Sequence, residues 1–305
     1  MAKYLTFPSE NLMLYQKIGQ QKDKLVREIV SEGVGVKKKK VIFKDHTLIS
    51  GPPGVGKSFS TADILESNKI KSIDINAGQS DISLAVLLAV NVYKLKKNEK
   101  LVVVVDDADD VIFKDYQSLN KWKIAFGQYD PERAMIPTYN HDRNVQPLID
   151  KYRKIDQEDI AQALESFQEP GVIGLRIPTH QLKFIVLCNR KYKDPDSLGK
   201  VGAKMRSAIA PVIDRFTCRH INLNKDENWG WLAFTLANSQ PFANPSSSDQ
   251  QKVTLSEKQK KTILQFVLDK WSRFHSHSYR TVGEMAEHMV NDPKNYLDRW
   301  EAMLI

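Results

Sequence analysis

The stretch GPPGVGKS, residues 51–58, has the residue types and spacing that speak most directly of chemistry in this chain. It fits GxxxxGK(S/T) in full, follows the apolar run HTLIS and opens a segment compatible with a helix. Gly51, Gly54 and Gly56 permit a backbone path that turns amides toward phosphate oxygens, at a helix N-terminus whose dipole favours anions. Pro52, Pro53 and Val55 complete the loop. Lys57 is then placed for the β- and γ-phosphates of a nucleotide and Ser58 for Mg²⁺. The competing reading is a glycine-rich turn with a chance lysine.

A second chemical signal lies downstream, in LVVVVDDADD at 101–110, where an apolar run meets four acids in five places. Asp106, 49 residues after Lys57, is expected to hold the same metal ion from another strand of one sheet. Asp107 is the candidate for orienting the attacking water. Asp109 and Asp110 read as helix-start carboxylates, stabilised by the helix dipole.

The elements that must position these groups alternate. Strands are expected near 46–50, 71–75, 101–105 and 183–189, with helices at 57–67 and 80–95. That rhythm implies an α/β fold with a parallel sheet, whose central strands are continuously apolar because both faces are covered. A peripheral helix is expected over 9–33, closed by Gly33. Residues 114–182 read as an insertion projecting from the sheet, with a helix in DYQSLNKWKIAFG and a single long helix at 150–169. Beyond 225 the patterns are helical only: ENWGWLAFTLAN, LSEKQKKTILQFVLDKWSRF, TVGEMAEHMV and YLDRWEAML. Three segments follow: 1–40 as an N-terminal helix with a basic entry, 41–225 as the nucleotide-binding α/β domain, and 226–305 as a small all-α lid domain.

Bulk properties narrow the class. At 41% apolar and 27% charged, the 305 residues read as an ordinary globular protein with a substantial core. Cys188 and Cys218 stand far apart without metal-ligand spacing, which points to neither a zinc site nor a disulfide framework and so to a reducing, cytoplasmic location. MAKYLTFPSE has no apolar signal core and SLAVLLAV is too short to span a bilayer, so no membrane role is expected. The formal net charge of +8 favours a polyanionic partner.

GPPGVGKS, LVVVVDD, the asparagine-ended run FIVLCN, the segment APVIDRF and the helical C-terminal part, in that order, resemble an AAA+ ATPase over roughly residues 40–290. Within that superfamily the sequence is most similar to the small single-module ATPases of phages and plasmids. The resemblance implies ATP and Mg²⁺ as cofactors and hydrolysis as the activity. It makes Asn189 the sensor 1 residue and Arg215 the arginine finger given to a neighbouring subunit's nucleotide, with Arg219 as the alternative. It also makes Arg280 a candidate sensor 2, at the entry of a lid helix with a Thr281/Glu284 capping pattern. A finger in trans implies a ring or spiral oligomer. Two features depart from the family: Asp107 stands where glutamate is usual, and the 83 residues from Asp106 to Asn189 are a long gap.

Residues 181–220 carry nine basic groups against three acids, which suggests contact with a nucleotide or a nucleic-acid backbone. A motor or loader acting on DNA in replication or recombination is the leading expectation, with DNA or a DNA-replication protein as partner. A protein remodeller gripping polypeptide through 127–146, or a nucleotide-gated scaffold with little turnover, are the alternatives. Trp122 and the pairs Trp229/Trp231 and Trp271/Trp300 read as packing groups, and His275 with His277 as a polar loop.

Overall fold

The computed structural model describes residues 9–37, 40–41, 46–127, 134–135, 145–168, 175–193, 202–238, 242–243, 252–274 and 278–304. The expectations for His275 and His277 and for most of the 127–146 loop lie outside these residues. The chain divides into two compact units: Val30–Ser50 with Thr61–His220, and Met1–Ile29 with Gly51–Ser60 and Ile221–Ile305.

Helix α1 (Ser9–Val34) runs through Gly33 instead of stopping there. Its terminator is Gly35 at φ +73°, whose N–H returns to the Ser31 carbonyl at 2.9 Å. Gly33 serves packing: a Cβ there would come within 2.9 Å of Thr47 Cγ2, and Thr47 Oγ1 donates to the Gly33 carbonyl at 2.7 Å. A two-residue ladder, β1 (Val36–Lys37) with β2 (Lys40–Val41), follows.

The first unit is built on a five-stranded sheet. Its strands are β3 (His46–Ser50), β4 (Ser72–Ile75), β5 (Leu101–Val105), β8 (Leu182–Cys188) and β9 (Phe216–His220). The order is β4-β5-β8-β3-β9 and every pairing is parallel. β5 and β8 are buried at every position, as continuous apolar runs covered on both faces must be. β9 has no such signature: of FTCRH only Phe216 is buried, because the strand closes an edge. α2 (Lys57–Ser67) and α3 (Asp81–Tyr93) occupy the places expected of them.

The described helices of the segment 114–182 pack on the sheet instead of projecting from it. α5 (Tyr116–Ala125), β6 (Ala134–Met135), α6 (Gln146–Lys154), α7 (Glu158–Ser166) and β7 (Ile177–Pro178) lie in this segment. Leu119, Trp122, Phe126, Ile149, Leu164 and Ile177 join the same core as Leu48, Val103 and Phe184. The single helix expected over 150–169 is two, broken at Asp156, which lies at φ +55°. An L-residue in the left-handed region cannot continue a right-handed helix.

His46 enters this core among Phe126, Phe184 and Phe216, with ring centroids 5.2–6.0 Å away. Its Nδ1 accepts the Phe184 N–H at 3.3 Å, which requires the neutral ring. Burial, then the Lys183 ammonium, lowers its pKa from 6.5 to about 4. A lowered folded pKa means the unfolded chain binds the proton more readily. The stabilising contribution is therefore present above the unfolded value and lost as pH falls from 6.5 through about 4. We expect acid to remove up to roughly 3 kcal/mol over that window. Urea titrations of wild type and His46→Asn between pH 7 and pH 4 check this; parallel pH profiles would contradict it.

Among the described residues the second unit is helical apart from a two-residue ladder, β10 (Phe242–Ala243) with β11 (Lys252–Val253), and an isolated bridge between Phe274 and Leu304. Its later helices are α9 (Lys225–Asn238), α10 (Glu257–Asp269), α11 (Tyr279–Asn291) and α12 (Tyr296–Ala302). Ser256 and Gln259 form a capping box at the start of α10. α10 ends at Asp269, before a 3-10 turn over Trp271–Arg273, instead of running on to Phe274. Trp229, Trp231, Trp271 and Trp300 form one buried cluster with Ile263, Val267 and Met285, as their spacing predicts.

Candidate functional site

The chain leaves β3 at Gly51 and enters α2 at Lys57, so the loop GPPGVGKS connects an internal strand to a helix N-terminus. Gly54 and Gly56 lie at φ +76° and +83°, which side chains rarely tolerate. Gly54 is also held by contact, since a Cβ there would fall 2.1 Å from Ser278 Cβ and 2.7 Å from its Cα. Gly51 packs on Ile221 in the same way, at 2.9 Å from that residue's Cβ. Pro52 is half-buried and Pro53 exposed, while Val55 is fully buried.

Lys57 is 7% exposed, and its ammonium donates to the carbonyls of Gly51 (2.8 Å) and Pro52 (2.9 Å). A buried ammonium needs partners or it loses its charge, and here the loop's own carbonyls supply them. Ser58 stands exposed at the first turn of α2. The next turn closes with the Ser60 N–H on the Gly56 carbonyl at 2.8 Å. These features fit a polyphosphate: a cation held at the loop, two left-handed glycines, and a helix start behind them.

The acidic residues follow β5 directly. The Asp106 N–H donates to the Ile75 carbonyl at 3.0 Å, which extends the β4–β5 pairing by one residue. Its Oδ1 accepts the Asp107 N–H at 3.0 Å. Asp74 on β4 feels this carboxylate: burial first, then the Asp106 charge, raises its pKa. A cation beside Asp106 would relieve that field. Among the described residues no three or more His, Cys, Asp or Glu groups converge, so a divalent ion at Asp106 would depend on hydroxyl, phosphate and water oxygens for its remaining ligands.

Asp107 sits at φ +49°, ψ +45°, exposed, as the residue before the short helix α4 (Ala108–Val111). Left-handed backbone is several-fold enriched in aspartate and asparagine among side-chain-bearing residues. The shorter acid in place of glutamate thus has a backbone reason. Asp109 does more than start a helix: its Oδ2 accepts the Asn189 N–H at 2.6 Å and its Oδ1 the Tyr192 hydroxyl at 2.7 Å. Sequence spacing gives no sign of bonds that span about eighty residues. Burial, then the Asp109 carboxylate, pushes the Tyr192 phenol well above its ordinary pKa.

Asn189 is the exposed residue after β8. Gly51, Asp106 and Asn189 therefore each leave the carboxyl end of one of three adjacent parallel strands, β3, β5 and β8, the edge where open α/β sheets bind ligands.

The two finger candidates are engaged within the chain. Arg215, half-buried after α8 (Ala203–Ile213), donates from Nη1 to the Lys123 carbonyl at 2.6 Å. Arg219, on β9, pairs through Nε with Glu32 at 3.5 Å. Arg280 is exposed in the first turn of α11. The cap of that helix is Ser278, whose Oγ accepts the Thr281 N–H at 3.2 Å, so Thr281 is the third helical residue and not the cap. A cation in a first turn opposes the helix dipole, so capping is no reason for Arg280 to be there.

The basic segment 181–220 is less uniformly outward than its composition suggests. Lys183 is buried and donates to the Val34 carbonyl at 3.0 Å, and Lys204 lies 4.4 Å from the centre of the Tyr116 ring. Arg190, Lys191, Lys193 and Arg206 are exposed, and Lys200 lies outside the described residues. Among the described residues no helix is long and apolar enough to cross a membrane.

No family model matches the sequence. A curated relative, the sporulation protein YpeB of Oceanobacillus iheyensis, is 26% identical over 189 residues, which span 60% of this chain and 35% of that protein. Two solved structures align with most of the chain at low TM-score. One is a DNA replication initiation factor, with TM-score 0.41 and 11% identity over 94% of this chain and 65% of its own. The other is a mutant RuvB of Thermogota maritima, with TM-score 0.39 and 14% identity over 97% and 70%. The chain thus spans about a third of the relative and just under two thirds of the initiation factor. With a glycine-rich loop between an internal strand and a helix, an acid-ended strand in the same parallel sheet and a largely helical second unit, the described chain has an α/β fold with a five-stranded parallel sheet flanked by helices.

Proposed function

We propose that this protein is an ATPase of AAA+ type that uses ATP hydrolysis for remodelling or loading on DNA, in replication or recombination. The observation that carries the reading is the buried ammonium of Lys57 at a helix start, held by the Gly51 and Pro52 carbonyls of a loop that contains two left-handed glycines, Gly54 and Gly56. Lys57 and the loop amides bind the β- and γ-phosphates, and Ser58 and Asp106 hold Mg²⁺. The metal, when bound, neutralises charge on the phosphates. Asp107 orients the attacking water, and Asn189 reaches toward the γ-phosphate or that water. Arg280 serves the same nucleotide as sensor 2.

Arg215 acts in trans in this reading, with Arg219 as the alternative, and the working unit is a ring or spiral of copies. In this reading the bond from Arg215 Nη1 to the Lys123 carbonyl orients the guanidinium, and its remaining N–H groups serve the neighbour's nucleotide.

DNA as the polyanion is supported by the net charge of +8 and by the exposed Arg190, Lys191, Lys193 and Arg206. If about four phosphates are neutralised, DNA affinity falls by roughly 10²-fold between 50 and 200 mM salt. Fluorescence anisotropy with a labelled single strand and a labelled duplex, across that range, checks the slope. Charge reversal of Lys191 and Lys193 is expected to flatten it. Salt-independent binding, or an ATPase stimulated by unfolded protein and not by DNA, would replace the DNA reading with protein remodelling.

A further inference from the structure

We infer that Asp109 is a positioning residue for hydrolysis: it joins the helix that follows Asp107 to the exit of β8 and so fixes the reach of Asp107 and Asn189 together. The inference rests on the ATPase reading above and deepens it.

Both carboxylate oxygens of Asp109 are used, and on two different targets. Oδ2 takes the backbone N–H of Asn189 at 2.6 Å and Oδ1 takes the Tyr192 hydroxyl at 2.7 Å. Tyr192 is 5% exposed, and its ring stacks on Phe113, with centroids 3.8 Å apart and planes 22° from parallel. The Phe113 N–H donates to the Ala108 carbonyl at 3.0 Å, which brings the connection back to the start of α4. The result is a closed circuit: Asp107, α4, Asp109, Asn189, Tyr192, Phe113 and α4 again.

Each part of that circuit bears on a proposed reacting group. Asp107 holds a left-handed backbone directly before α4, so any rotation of α4 moves its carboxylate. Asn189 has its own N–H fixed by Asp109, so its side chain starts from a pinned backbone. A carboxylate is the group that fits, because it accepts at both oxygens while both partners are donors. A helix-start acid with only a dipole role would need neither partner.

The chemistry selects the variants. Asp109→Asn keeps the shape and removes the charge: the Asn189 N–H keeps only a neutral acceptor, and the Tyr192 hydroxyl must turn to accept from the amide, so both bonds weaken. Tyr192→Phe keeps the stack on Phe113 and removes one bond. Asp109→Asn is expected to lower kcat for ATP roughly 10- to 100-fold, with KM within about twofold of wild type, because a small misplacement acts on the reacting geometry and not on phosphate binding. Tyr192→Phe should lie between, and the double variant should be no slower than Asp109→Asn, since the two act through one circuit.

Amide hydrogen exchange gives a readout separate from turnover. The Asn189 amide should be protected in wild type and measurably less protected in Asp109→Asn, with ATP affinity unchanged. Asp109→Asn with wild-type kcat would overturn the inference and leave the ATPase reading intact. Loss of ATP binding together with kcat would reduce Asp109 to a fold residue and equally overturn it. A wild-type chain without turnover would end the ATPase reading, and the exchange experiment would then decide alone: unchanged protection at Asn189 in Asp109→Asn overturns the inference.

Discussion

Lys57→Ala is expected to weaken ATP binding by at least about 10²-fold, the loss of a buried, charge-assisted contact to phosphate. The side chain is nearly inaccessible, and its partners are the Gly51 and Pro52 carbonyls, so it is already drawn into the loop that it must complete. Removing it takes away the charge and also leaves two loop carbonyls without that donor. Isothermal titration with a slowly hydrolysed ATP analogue measures the effect directly. Circular dichroism should show an unchanged fold, because Lys57 belongs to neither hydrophobic core. Wild-type affinity in Lys57→Ala would remove the phosphate-loop assignment.

Arg215→Ala is expected to leave ATP affinity within about twofold and to lower turnover about 10³-fold or more, the range an arginine finger supplies. The variant also loses the tie from Nη1 to the Lys123 carbonyl, so a modest fall in Tm accompanies it. Mixing separates the two effects. In a mixture of Arg215→Ala and Lys57→Ala chains, some interfaces pair an intact loop with an intact arginine, and part of the turnover returns. A purely structural arginine would give no restoration, and the same mixture made with Arg219→Ala tests the alternative finger.

The sequence made the interior strands legible and the edge illegible, for one physical reason. β5 and β8 are buried on both faces, so only apolar residues serve and their limits show as composition. β9 needs one buried residue in five, and Phe216 alone does not announce a strand. The glycine-rich loop was legible because backbone curvature there demands glycine, and Gly54 and Gly56 do take left-handed φ. The breaks at Asp156 and Asp107 use aspartate for the same purpose, which no pattern of glycines reveals. The expected outward insertion failed because Leu119, Trp122, Ile149 and Leu164 cover the sheet, and helical spacing alone does not say which surface a helix faces.

The site residues divide similarly. Lys57 and Asp106 stand out as candidates in the sequence because each follows an element whose end is marked there. Asp109 was assigned only a dipole role, because its partners, Asn189 and Tyr192, come from the far side of α5, α6 and α7 in the chain. The aspartate at 107 looked like a departure from chemistry and is at least as much a matter of backbone. Its αL geometry favours the shorter acid, and asparagine would keep that geometry while losing the charge.

Steady-state phosphate release from Mg·ATP tests the central claim most directly, measured for wild type, Lys57→Ala and Asp107→Asn, alone and with single- or double-stranded DNA. The account predicts that wild type turns over and that DNA raises the rate. It predicts that Lys57→Ala neither binds nor hydrolyses ATP, and that Asp107→Asn binds ATP with wild-type affinity while releasing little phosphate. A wild-type chain that binds ATP yet releases phosphate no faster than Lys57→Ala, under every condition, would contradict it.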